Sequence, residues 1–164
     1  ERIGLLGGPP PTARRNAADR LAENLLGTEE GAAPPNAEEV RRNADVVLIG
    51  DFMDPLEEWA PTFETLSARG ARTHLVQVLD PVEERFPFGG RTRFVDPESG
   101  IAFLVGKAEA WAAGYHDTLA AHKAALQREG RRLGSGLIVH HTDTSAAPAL
   151  LALRAALSGD DRPA

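Results

Sequence analysis

The residues that could do chemistry in this sequence are oxygen-bearing side chains standing just past apolar runs. Asp51 follows Val46-Val47-Leu48-Ile49-Gly50, with Asp54 three residues beyond it. Asp80 follows Val76-Gln77-Val78-Leu79, and Thr142 and Asp143 follow Leu137-Ile138-Val139-His140-His141. Oxygen ligands gathered at one edge suit a hard cation such as magnesium, which takes six oxygens in an octahedron and keeps several as water. The competing reading is local. A short acid at a strand end bonds the amides of the following turn, and Asp54 before Pro55 has the form of an N-cap ahead of a first-turn proline. His140-His141-Thr142-Asp143 reads either as a base with an orienting acid or as part of a metal site. Successive strand residues point to opposite faces, so the two histidines share one ion only across a bulge. One histidine is expected inside and one near the rim.

Several other chemistries are closed off. The chain has no cysteine, which excludes a thiol nucleophile, a thiolate metal site and a disulfide. No serine stands in a G-x-S-x-G elbow. Gly4-Leu5-Leu6-Gly7-Gly8 begins like a dinucleotide loop, but Pro9-Pro10-Pro11 follows and removes the amide donors that would cradle a phosphate. Lysine and arginine number 18 against 24 acids, a formal charge of −6, and no basic tract dominates. Neither nucleic acid nor an anionic membrane is therefore an expected partner. The apolar runs fall well short of the ~20 residues that span a bilayer, and no signal-peptide pattern opens the chain. The expected place is the cytoplasm.

The elements that would position those residues alternate in type. Residues 3–7 read as a short buried strand, ended by two glycines and three prolines. Thr12 is placed to cap a helix with Ala18, Leu21, Ala22 and Leu25 on one face and Gly27 at its end. After a loop over 28–35, Asn36 and Glu39 have the spacing of a capping box for a short helix through Arg42. Residues 46–49 form an uninterrupted β-branched and leucine run, the pattern of a strand covered on both faces in a parallel sheet. Leu56, Trp59, Phe63 and Leu66 mark the next helix, which is stopped by Gly70 and either begins or kinks at Pro61. Residues 73–79 are a strand closed by Asp80-Pro81.

From 87 to 106 the rhythm changes to an inserted β-hairpin, with strands at 92–95 and 101–105 about Pro97-Glu98-Ser99-Gly100. A long helix follows, with Trp111, Tyr115, Leu119, His122, Leu126 and Leu133 on its buried stripe; His116 and His122 read as surface or boundary residues. A strand over 137–140 and a helix over 146–157 complete the pattern. Strands alternating with helices imply an α/β fold with a doubly wound, mainly parallel sheet. Ligands of such sheets bind outside the carboxyl ends of the strands, so Asp51 and Asp80 are expected on one common rim. One domain over residues 1–158 is expected, with a flexible tail at 159–164. Phe86-Pro87-Phe88 either tucks under the hairpin or forms an apolar patch, which makes Phe86 and Phe88 candidate partner-binding residues.

Several stretches together resemble the bacterial domain-of-unknown-function family 58. They are the run from Val46 to Phe52, the run from Val76 through Asp80-Pro81 and Phe86-Pro87-Phe88-Gly89-Gly90 to Thr92, and the Asp96-Pro97-Glu98-Ser99-Gly100 turn. The resemblance implies a von Willebrand factor type A-like, Rossmann-like fold in three α/β/α layers, and the company of a MoxR-type AAA+ ATPase. It also implies a metal-ion-dependent adhesion site, built from an Asp-x-Ser-x-Ser loop, a threonine and a further aspartate. Asp51 matches that last aspartate by position, and Thr28 is the candidate for the threonine. The serine loop would lie ahead of Glu1. Because the chain opens on Glu1-Arg2-Ile3-Gly4-Leu5-Leu6 without an initiator methionine, a C-terminal fragment lacking its first strand is expected. Magnesium is then a cofactor of a longer protein, and none is expected of this segment.

The leading expectation is a non-enzymatic interaction or scaffold module. A metal-dependent hydrolase using Asp51, Asp80 and His140 is the alternative. An exposed sheet edge that pairs with a second copy is a third outcome.

Overall fold

This computed structural model describes residues 2–27, 34–96, 100–134 and 136–159. Thr28, the turn at 97–99 and the tail at 160–164 lie outside them. In chain order the elements are α1 (Ala17–Gly27), β1 (Asp45–Gly50), α2 (Leu56–Ala68), β2 (Arg72–Leu79), α3 (Pro81–Arg85), β3 (Thr92–Val95), β4 (Ala102–Val105), a 3₁₀ turn at Ala108–Trp111, α4 (Ala112–Arg132), β5 (Leu137–His141) and α5 (Ala147–Ser158). β1, β2 and β5 form one parallel sheet in the order β1-β2-β5, and β3 and β4 form a separate antiparallel hairpin. The expected α/β fold is therefore present, hairpin included.

The middle strand explains the layering. Thr73, His74, Leu75, Val76 and Gln77 are all buried, so β2 is covered on both faces. One face packs Val46, Leu48 and Leu75 against Phe63 and Leu66 of α2 and Leu126 of α4. The opposite face carries Arg72 and His74, and α5 lies there: Arg72 donates through Nη2 to the Leu157 carbonyl at 3.1 Å. Arg72 and the buried His74 also share Asp45 Oδ1, at 2.5 and 3.3 Å. The Arg72 guanidinium holds the Asp45 carboxyl below its ordinary range, and His74 adds to it against partial burial.

Four sequence expectations are corrected. Residues 3–7 do not enter the sheet; Ile3 and Thr12 exchange two backbone hydrogen bonds as a lone antiparallel bridge, and Gly7, at φ 71°, turns the chain between them. Three consecutive prolines have no amide with which to extend a ladder. The helix after Thr12 starts only at Ala17. Asn36 builds no helix: its side chain accepts from the Glu38 amide at 2.8 Å, an Asx turn that competes with helix formation. Finally, α2 runs through Pro61 from Leu56, and the residue at its N-cap is Pro55 rather than Asp54.

β1 also departs from its pattern. Val46 and Leu48 are buried, but Ile49 is 66% exposed, because among the described residues β1 is an edge strand and α5 covers the far side of β2 and β5. No helix among the described residues is long and apolar enough to cross a membrane.

Candidate functional site at the carboxyl rim

Parallel pairing sends Asp51 and Asp80 to the same end of the sheet. Gly50 lies beside Gln77, so Asp80 stands two residues beyond the level of Asp51, about 6.6 Å along the strand direction. Each acid is used locally. Asp51 Oδ1 accepts from the Met53 amide at 3.1 Å. Asp80 Oδ1 accepts from the Val82 amide at 2.8 Å while Glu83 Oε2 accepts from the Asp80 amide at 2.9 Å, a complete capping box that starts α3 at Pro81. Thr142 Oγ1 donates to Asp80 Oδ2 at 3.3 Å and ties the end of β5 to that cap.

The loop carrying Asp51 is held from inside. Phe52 has φ 52°, a left-handed conformation that an aromatic residue adopts only when its surroundings impose it. Its ring is 1% exposed, with the Trp59 ring centroid 4.8 Å away. The Asp51 carbonyl accepts from Gln77 Nε2 at 2.8 Å, and the Phe52 carbonyl accepts from His122 Nε2 at 2.5 Å. A strand residue and a helix residue therefore hold the backbone that carries the Asp51 side chain.

Glu84 of α3 joins two further elements. Lys123 of α4 donates to Glu84 Oε1, and His141 at the end of β5 donates through Nε2 to Oε2 at 2.7 Å. The Lys123 ammonium holds the Glu84 carboxyl below the usual carboxylate range; partial burial opposes the shift and His141 reinforces it. Arg85 and Asp143 approach within 3.8 Å on the surface. With a partner on each of its oxygens, Glu84 forms a bracket that closes α3 over the strand ends.

The hydrolase triad of the sequence does not assemble. His140 pairs with Val78 and His141 with Leu79, so the two histidines face opposite sides, both half-buried; His141 meets one acid, Glu84. Among the described residues no group of three or more acidic or histidine side chains is arranged to hold a cation. Asp51 brings one carboxylate with one oxygen engaged, so the described residues do not make up a magnesium site. Phe86 and Phe88 tuck in half-buried under the hairpin, their centroids 5.2 Å apart, with Phe94 within 5.9 Å of both and Tyr115 4.8 Å from Phe86.

Sequence reasoning missed Gln77, His122, Glu84 and Lys123 as rim residues. The signals were faint: a single amide inside an apolar strand, and a histidine on the core stripe of a helix. Glu84 and Lys123 carried none, since charged residues on helices are ordinarily solvated.

A family model described as a protein of unknown function, DUF58, matches residues 10–125. Comparison with curated proteins and with solved structures returns no match.

Proposed function

The chain belongs to the DUF58 family of proteins of unknown function, and we propose that within it this domain is a protein-binding module without chemistry of its own, docking its partner along the outer edge of β1. The observation that carries the reading is the state of that edge. Val46-Val47-Leu48-Ile49 is apolar throughout, yet among the described residues nothing pairs with its outer side, and Ile49 and Met53 are 66% and 36% exposed. Natural proteins guard free edges with lysine, proline, bulges or short strands. β1 carries none of these between Val46 and Gly50. A partner strand would satisfy its free amides and carbonyls and cover Ile49.

An AAA+ ATPase of the MoxR type, met in the cytoplasm, is the partner to which the family resemblance points. Asp51 sits at the end of the docking strand, where its free oxygen would complete a magnesium site if the partner or a longer chain supplied the remaining ligands.

The test is capture of that ATPase by the full-length protein, with and without magnesium, comparing wild type, Ile49→Lys and Asp51→Ala. Loss of capture with Ile49→Lys is expected. Capture that survives Ile49→Lys removes the edge-docking reading, and capture indifferent to both Asp51→Ala and magnesium removes the metal from it.

A further inference from the structure

Away from β1, two surfaces carry complementary patterns. In the hairpin, Arg93 lies opposite Leu104 and Val95 opposite Ala102, so these four share one face, and Arg91 stands just ahead of it. All are exposed, Val95 to 52% and Leu104 to 59%. On the other face of the hairpin Phe94 stacks in the aromatic cluster under it and Val105 is buried, while Phe103 opposite Phe94 is 59% exposed. The outward face thus joins two cations to an apolar surface and, among the described residues, includes no acid.

Helix α1 has the reverse character. One side, with Ala17, Leu21 and Asn24, lines a small cleft against Ile3 and Pro10. The side turned away presents Leu26, 90% exposed, with Asp19 and Glu23 beside it, both exposed. At 3.6 residues per turn Asp19, Glu23 and Leu26 fall within a sector of about 60°. None of Arg91, Arg93, Asp19 and Glu23 takes part in an ion pair among the described residues.

We infer that the chain self-associates, the α1 face of one copy lying on the outward hairpin face of a second. The order of residue types supports the match. Along the hairpin the order is cation, cation, apolar in two-residue steps, about 6.7 Å each in an extended strand. Along α1 it is anion, anion, apolar in steps of four and three residues, about 6.0 and 4.5 Å. Laid side by side, Asp19 meets Arg91, Glu23 meets Arg93, and Leu26 covers Val95 and Leu104. Both surfaces lie on every copy, so a two-fold arrangement makes the contact twice. It buries apolar side chains that a monomer leaves in water, and charge pairing sets the register.

The experiment is sedimentation equilibrium of the purified chain over a wide concentration range at low salt. Mass is expected to rise from 17.5 kDa to twice that value, and added salt is expected to weaken the association. The double variant Arg91→Glu with Arg93→Glu is expected to raise the dissociation constant at least roughly tenfold. Adding Asp19→Arg and Glu23→Arg in the same chain is expected to restore it. All four positions are exposed, so unchanged thermal melting is the folding check. A chain that stays monomeric throughout, a dimer that survives the arginine reversal, or a fourfold variant that does not re-form would each overturn the inference. A dimer lost with Ile49→Lys alone would assign self-association to the β1 edge instead.

Discussion

Gln77, wholly buried on the middle strand, donates its amide to the backbone carbonyl of Asp51 at 2.8 Å, so the rim acid of one strand is held by a side chain of its neighbour. His122 does the same for the Phe52 carbonyl from α4. The left-handed Phe52 that results lets one buried ring anchor the loop while the next side chain back points to water. Replacing Gln77 with alanine removes both the hydrogen bond and buried volume, and should cost about 2–4 kcal/mol in urea unfolding. Gln77→Leu keeps most of the volume and should cost about 1–2 kcal/mol. A loss below about 0.5 kcal/mol for Gln77→Ala would show that the loop holds itself.

Asp80 separates capping from catalysis by a conservative change. Its Oδ1 serves the Val82 amide as an N-cap, and asparagine caps about as well as aspartate. Asp80→Ala should therefore destabilise the domain by about 1 kcal/mol, and Asp80→Asn by only a few tenths. Thermal unfolding of the pair reads the difference directly. If Asn proves as damaging as Ala, the negative charge itself matters and the acid has a role beyond starting α3.

How far the sequence disclosed this arrangement depended on whether neighbours in the chain or neighbours in space decide a residue. The runs at 46–49 and 73–79 declared strands through their apolar and β-branched residues, their alternation with helices declared them parallel, and the hairpin declared itself through its change of rhythm. Asp51 and Asp80 were placed on one rim correctly, since strand direction alone dictates it. Ile3 misled because a short apolar run does not say whether it has a neighbour to pair with, and Asn36 because an Asx turn and a capping box begin with the same residue. Ile49 misled in the other direction: its run has the composition of an interior strand, while the described residues leave it at an edge. The Glu84, Lys123 and His141 bracket joins positions 39 and 57 residues apart, which no local pattern encodes.

Phe86 closes α3 at φ 42° and stacks in the cluster under the hairpin, 4.8 Å from Tyr115 and 5.9 Å from Phe94. Backbone and side chain therefore pull in opposite directions. Glycine would relieve the left-handed strain, but truncation removes the ring that α3, β3 and α4 share. For a half-buried ring the loss should dominate, so Phe86→Ala is expected to cost about 2–3 kcal/mol, below the 3–5 typical of a full core position. Phe86→Gly should recover up to about 1 kcal/mol of that loss despite being smaller. Hydrogen exchange should show β3 and β4 opening first in both variants. Glycine less stable than alanine would mean that φ at this position carries no strain.

The Glu84 bracket makes stability depend on pH in a definite direction. A carboxyl whose folded pKa lies below its unfolded one releases its proton more readily in the native state, so it contributes stability above the unfolded value and loses it as pH falls through the folded value. For Glu84 the ordinary value is 4.5 and the shift is downward, caused first by Lys123. Its side chain is 31% exposed and that of Lys123 26%, so solvent screens the pair and the contribution should be about 1 kcal/mol or less. Glu84→Gln keeps the shape and removes the charge. The gap in unfolding free energy between wild type and this variant should be present near neutral pH, begin to close below pH 4.5, and shrink with added salt. A gap that is flat with pH, or that widens on acidification, would mean that α3 is held over the strand ends by packing and capping alone.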